Sequence, residues 1–240
     1  MKEAIYKNSS FTIEILYHLG MYENSIHFIF DHESKKCALV DPAWEADLFI
    51  NRVKDKGYDL TDIWLTHWHG DHINAVDEVA DKTGAIITAG INELPYLSLN
   101  NEIRTVKDNE IITLGKTQAK IINTPGHTAG GICFALDGHL IAGDTLFVFG
   151  AGHCAMPGGS ANEFFHSMQK LRQLPDEMIL HCGHDYGSTT RTTMGEQKSG
   201  NPFLMIDDED DFVRYRNGIH DVSRAYPMQA MNKNEVYAFL

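Results

Sequence analysis

Long apolar runs are missing from this sequence. No stretch approaches the roughly eighteen residues that a membrane-spanning helix needs, so no spanning helix is expected. Cysteine is scarce and scattered: Cys37, Cys133, Cys154 and Cys182 form no C-x-x-C pair. That pattern argues against a zinc ribbon or a disulfide framework and suits a reducing compartment. Positive charge is also short. Twenty Lys and Arg stand against 33 Asp and Glu, a formal net charge of −13 with neutral histidines. Nucleic acid and anionic membranes are therefore not expected partners. The opening Met1-Lys2-Glu3-Ala4-Ile5-Tyr6 lacks the apolar stretch and small-residue cleavage site of a secretory signal. A cytoplasmic location is the expectation. Repeats, low-complexity tracts and obvious linkers are absent as well.

What the sequence has in excess is histidine, 13 in 240 residues, several beside Gly or Asp rather than in apolar runs. Histidine is the commonest metal ligand among side chains. Most histidines are nonetheless surface or hydrogen-bonded groups, so position has to decide. The length suits one large domain or a domain with a small appendage, and 43% apolar residues suffice for a sizeable core.

Short strands are predicted at residues 11–17, 26–30 and 37–40, rich in β-branched, aromatic or other apolar residues. Asp41-Pro42 ends the last of these, since proline cannot continue a ladder. Residues 43–56 have helical spacing and stop at Gly57. Strand 63–65 runs into a His-rich segment, helix 74–82 ends at Gly84, and strand 85–88 follows. Further strands are predicted at 111–114, 119–123, 132–136 and 139–142, a helix at 162–174 before Pro175, and a strand at 178–180. After Tyr186 the chain reads as mostly helical, with the acidic run Asp207-Asp208-Glu209-Asp210-Asp211 at a helix N-terminus, where the dipole favours it. Strands in two batches, each interleaved with helices, fit an α/β sandwich of two sheets with helices outside.

The decisive segment is Thr66-His67-Trp68-His69-Gly70-Asp71-His72. Alternate residues of extended chain share a face, so His67 and His69 can point the same way, and Asp71 and His72 project beyond the turn at Gly70. So many titratable groups packed without a cation would leave costly unsatisfied polar atoms. Three more pieces stand where strands meet loops: Thr124-Pro125-Gly126-His127-Thr128, Gly143-Asp144-Thr145 and Gly183-His184-Asp185-Tyr186. Each alone is weak, because a lone His or Asp after a strand is usually structural. With the first segment they make a full ligand set.

The order T-H-x-H-x-D-H, P-G-H-T, G-D-T, G-H over residues 63–186 resembles the metallo-β-lactamase superfamily. That resemblance implies an αβ/βα sandwich of two mixed sheets with outer helices, its site at one edge. It implies two divalent metal ions, zinc first, with iron or manganese compatible with the same donors. The first ion would take His67, His69 and His127, the second Asp71, His72 and His184, with Asp144 bridging. It further implies hydrolysis by a hydroxide held between the metals, oriented by Asp71.

Within the superfamily the chain most resembles glyoxalase II, the hydroxyacylglutathione hydrolase, through residues 124–131, 143–148 and 182–186. The likeness implies a thioester substrate, contacted by Tyr186. The family carries a glutathione-binding Lys where this chain has His153, a weaker and pH-dependent cation. The chain beyond residue 187 is shorter than the family's helical glutathione-binding domain; Arg191, Lys198, Arg214 and Arg216 are candidate substitutes. Residues 1–186 are read as the catalytic domain and 187–240 as a short helical extension packed on it. The alternative is a persulfide dioxygenase of the same fold, with one iron on His67, His127 and Asp144. Trp68, Cys154 and Cys182 are expected to pack rather than react. His18, His27, His139 and His220 are expected to be structural or surface residues, and His166 either packing or pocket wall.

Overall fold

Two β-sheets stack face to face between outer layers of helix. The computed structural model describes residues 2–223 and 225–240 of the chain. The first sheet has seven strands in sequence order: β1 (Glu3–Lys7), β2 (Phe11–Leu19), β3 (Asn24–Asp31), β4 (Lys36–Val40), β5 (Asp59–Trp64), β6 (Ile86–Gly90) and β7 (Ile103–Val106). The second runs β13-β12-β11-β10-β9-β8, from β8 (Ile111–Leu114), β9 (Thr117–Asn123), β10 (Ile132–Leu136) and β11 (His139–Ile141) to β12 (Ile179–His181) and β13 (Thr192–Thr193). Both sheets are mixed. Strands β4 to β7 pair in parallel, as do β11 and β12, and the other pairs are antiparallel.

Parallel neighbours need crossovers. Helix α1 (Ala46–Asp55) joins β4 to β5, turning Ala46, Phe49 and Val53 inward at helical spacing. The short α2 (Gly70–Ile73) and then α3 (Val76–Thr83) lie between β5 and β6, and α4 (Ala161–Leu171) crosses from β11 to β12. The last part of the chain carries α5 (Met194–Gly200), α6 (Pro202–Met205), α7 (Glu209–Arg214), α8 (His220–Ser223) and α9 (Lys233–Tyr237), with a π-turn between α7 and α8. The acidic run opens α7 as expected, with the Asp208 side chain accepting from the Asp211 N–H.

Three apolar layers follow from this stacking. Ile13, Ile29, Trp64, Ile121, Phe134 and their neighbours fill the space between the sheets, with Trp64 stacked on Phe134 at 5.2 Å. Strand β9 shows the period of two that this requires: Thr117, Ala119 and Ile121 are buried, whereas Gln118 and Lys120 are exposed. Phe28, Leu39 and Ile63 meet Phe49 and Val79 of the first outer helices. Leu146, Phe164 and Met168 meet Phe203, Phe212 and Tyr215 from the end of the chain.

The predicted elements appear with shifted ends. Helix α4 stops at Leu171, short of Leu174, because its last N–H groups bond three residues back and tighten into a turn. Three strands went unpredicted: β1, β7 and β13. The first two edge the first sheet and are largely uncovered, and β13 is two residues long at an edge of the second, so none carries a strong apolar signal. Strand β13 pairs Thr192 with Leu180 and Thr193 with Ile179, so the mostly helical chain beyond Tyr186 also adds a short edge strand to the second sheet.

Candidate metal centre

Loops leaving β4, β5, β9, β11 and β12 meet at one edge of the sandwich, bound to one another by backbone. Thr66 donates its N–H to Asp41 Oδ1 and accepts the N–H of Ile132, Gly183 donates to Gly143, and Ser25 donates to Gly183. Gly143 has φ +50, and a Cβ there would lie 2.2 Å from Thr66 Oγ1. Only glycine permits that approach, and it brings Asp144 against the His-rich loop.

Three groups of three donors result, one of them Asp41 with His67 and His72. The ligand atoms of His67, His69 and His127 lie within 4.8 Å of one another, and so do those of Asp71, His72 and His184. Asp144 stands between them, its Oδ2 at 3.7 Å from His127 Nε2 and 3.2 Å from His184 Nε2, its Oδ1 at 3.4 Å from His72 Nε2. All seven residues proposed from the sequence converge here. Nε2 of His67, His69 and His127 and Oδ1 of Asp144 are buried with no hydrogen-bond partner. Buried orphans of this number are rare in a folded protein unless a cation satisfies them.

The outer faces of the rings fix their tautomers. His127 Nδ1 donates to the carbonyl of His153 and His184 Nδ1 to that of Tyr22. A carbonyl only accepts, so each Nδ1 carries a hydrogen, which in the neutral ring leaves the lone pair on Nε2. Thr66 Oγ1 donates to Asp41 Oδ2 and so accepts from His67 Nδ1 at 2.9 Å; His72 Nδ1 faces the same carboxylate at 3.2 Å. Outer partners of this kind orient metal-binding imidazoles.

Electrostatics agree. Burial, with the charge of His72 added, drives His67 far below the usual histidine range; burial takes His69 down to about 4 and His127 to about 3. Neutral imidazoles are the form that binds a cation. Burial alone would push Asp144 up, but the neighbouring His184 and His72 hold it well below the carboxylate range, so it is ionised. Burial likewise opposes protonation of His72, which Asp144 and Asp41 reverse, raising it well above its usual value. A proton takes up there the position a cation's charge would occupy. Nitrogen and carboxylate donors in this arrangement fit two divalent ions.

Sequence reasoning missed several supports. Asp41 looked like a strand end, yet it is buried at φ +49 and braces Thr66 and His72. Glu93, also fully buried, accepts the Gly130 N–H at 2.6 Å and pins the loop that carries His127. Asn24 carried no signal at all.

A cleft of about 600 Å3 opens over these groups, walled by Tyr22, Trp44, Trp68, Phe147, Met156 and Tyr186. His153 lines it too, its ring 5.1 Å from that of His127. Tyr186 stacks on His184 at 4.7 Å and donates its hydroxyl to the Tyr22 carbonyl. Trp68 also packs on Tyr96 at 5.7 Å.

The four cations expected to replace a glutathione-binding domain do not line this cleft. Arg191 lies over Tyr6, and Lys198 binds Leu174 and Asp176. Arg214 binds Asp211 and the Leu240 carbonyl, and buried Arg216 binds the Ala151 and Gly152 carbonyls and Asp221. Lys198, Arg214 and Arg216 are thus held by acceptors on their own helices or on neighbouring segments. His166 is exposed, 3.8 Å from Glu209 and outside the cleft. Burial raises the thiols of Cys154 and Cys182, and both pack in or against the outer core of the second sheet. His27 and His220 are buried, His139 bonds His181, and His18 is an exposed partner of Asp185.

The profile of the metallo-beta-lactamase superfamily matches residues 23–184. The chain is 32% identical over 199 residues to the probable polyketide biosynthesis zinc-dependent hydrolase BaeB of Bacillus velezensis, covering 82% of this chain and 88% of that protein. It is 31% identical over 237 residues to the hydroxyacylglutathione hydrolase of Maricaulis maris, covering 83% and 89%. The crystal structure of ETHE1 from Myxococcus xanthus superposes with a TM-score of 0.78 at 26% identity, over 87% of this chain and 91% of that one. With its two mixed sheets and its loops gathered at one edge, the chain belongs to the metallo-β-lactamase superfamily.

Proposed function

We propose that this protein is a dinuclear metal-dependent hydrolase of thioesters. The observation that carries the reading is the pair of donor triads flanking Asp144, with lone pairs aimed inward and a cleft above them. Relatives described as a zinc-dependent hydrolase and a hydroxyacylglutathione hydrolase support it, and the first supports zinc as the metal. His67, His69 and His127 would hold one ion, Asp71, His72 and His184 the other, and Asp144 both. Divalent cations bound there would acidify a water towards neutral pH and polarise the scissile carbonyl.

The chain's own residues do the rest. Asp71 is partly exposed to the cleft and 3.6 and 3.5 Å from Nε2 of His72 and His184. It is assigned to accept a proton from the attacking water and hold it in line. The aromatic walls bury the acyl group and exclude bulk water. His153 and Tyr186 are the residues assigned to the thiol carrier. With the expected Arg and Lys replacements outside the cleft, a thioester in general is favoured over a glutathione thioester.

A second reading, a persulfide dioxygenase with one iron on His67, His127 and Asp144, would leave Asp71, His72 and His184 without a role. Those three also lie with their ligand atoms within 4.8 Å of one another, which favours the hydrolase. Elemental analysis of purified protein with a thioester panel tests the choice. About two zinc, manganese or iron atoms per chain with thioester turnover supports the hydrolase. One iron per chain with oxygen uptake on a persulfide would replace it.

A further inference from the structure

Trp44 is held with unusual care for a residue on a cleft wall. Its backbone has φ +79, a conformation bulky side chains rarely adopt. Its N–H donates to Asn74 Oδ1 at 2.7 Å, just beyond helix α2, which carries Asp71 and His72. Its indole lies so close to Gly20 that a Cβ there would come within 2.3 Å. One edge of the ring faces the cleft and the residue is 37% exposed. The other edge points inward, where Nε1 donates to Asn24 Oδ1 at 2.9 Å.

Asn24 is 1% exposed and lies at the junction of the two sheets, its backbone bridged to that of His184. Its Nδ2 donates to Asp71 twice, to the carbonyl at 3.0 Å and to Oδ2 at 3.2 Å. The orientation of this amide is not free. Trp44 Nε1 can only donate, so it must meet the Asn24 oxygen, and that turns the NH2 group towards Asp71, whose oxygens accept. Turned over, the amide would set donor against donor and acceptor against carboxylate.

We propose that Asn24 is a positioning residue for Asp71 and that the indole N–H of Trp44 locks it in its working orientation. The pair ties the cleft wall to one donor of the second triad. Substrate packed on Trp44 therefore bears on the same unit that aims the Asp71 carboxylate. The catalytic consequence rests on the hydrolase reading above; the effect on metal binding does not.

The test uses the full chain as wild type, Asn24→Ala, Trp44→Phe and the double variant. Trp44→Phe keeps a ring on the wall, and the same backbone strain, but removes the N–H. Zinc affinity is read by competition with a chromogenic chelator, and kcat and KM on whichever thioester the wild type hydrolyses best. For Asn24→Ala, one of the two zinc affinities should weaken about 10-fold or more, the scale for outer partners of ligands, while the other holds. Trp44→Phe should weaken the same site by less, with kcat falling more than KM rises. The double variant should match Asn24→Ala alone, because both changes cut one chain of bonds. Unchanged zinc affinities in either folded variant, or losses that multiply fully in the double variant, would overturn the proposal. If the wild type binds zinc but cleaves no thioester, the hydrolase reading fails and the affinities still decide the role of Asn24. Should Asn24→Ala not fold, Trp44→Phe decides alone.

Discussion

His72 and His184 face each other Nε2 to Nε2 at 3.1 Å. His184 Nδ1 carries its hydrogen to the Tyr22 carbonyl, and His72 Nδ1 turns to the Asp41 carboxylate. A neutral imidazole has one N–H, so with both rings neutral two lone pairs would meet across that gap. Only a shared proton or a cation makes the approach favourable. Chelator treatment is therefore expected to lower the melting temperature, and restored metal to raise it, with further excess adding only logarithmically. Calorimetry with and without chelator checks this; a melting temperature indifferent to metal would count against a metal centre.

Asp144 lies within reach of both triads, its Oδ2 facing His127 in the first and His184 in the second. Asp144→Asn should cut bound metal below two per chain and activity by more than about 100-fold, above the loss from an outer partner. The fold should persist, since the side chain belongs to no apolar cluster. Elemental analysis and circular dichroism on one preparation separate these outcomes, and full activity in the variant would sink the dinuclear mechanism.

Asp41→Asn would keep the shape of the brace but weaken its hold on Thr66 and His72. Metal affinity or activity should fall about 10- to 100-fold. An Asp41→Asn protein with wild-type metal affinity would show that the brace is only structural.

Acid should destabilise the metal-free protein through histidines outside the site. Burial, helped by the charge of His72, takes His27 down to about 3. The unfolded chain then binds a proton near pH 6.5 that the folded chain refuses until about pH 3. Stability from this group is intact above pH 6.5 and falls by about 1.4 kcal/mol per pH unit through that window. In His27→Leu the dependence of melting temperature on pH between 6 and 4 should be shallower; an unchanged slope would assign the acid sensitivity elsewhere.

Between the sheets, Phe134 is fully buried against Trp64. Phe134→Ala should cost about 3–5 kcal/mol by denaturant titration, the range for a large aromatic cavity. A loss under about 1 kcal/mol would mean the sheets close over the gap.

The residues of the candidate metal centre are legible in the sequence because they are local. His67, His69, Asp71 and His72 share one short loop, and His127, Asp144 and His184 each end a strand with an apolar signal of its own. The two batches of strands likewise foreshadowed two sheets. Strands β1, β7 and β13 escaped because edge strands with exposed faces carry little hydrophobic alternation. What tertiary structure alone decided is the set of polar partners far apart in sequence. Asn24 reaches Asp71 and Asp41 reaches His72 once the strands of the first sheet have paired, and Tyr22 reaches His184 only once the two sheets have stacked. Arg216 and Lys198 were drawn away from the cleft by acceptors that folding placed beside them. Hydrophobic period is written in neighbouring residues; hydrogen-bond pairing between distant loops is written only in how the chain comes together.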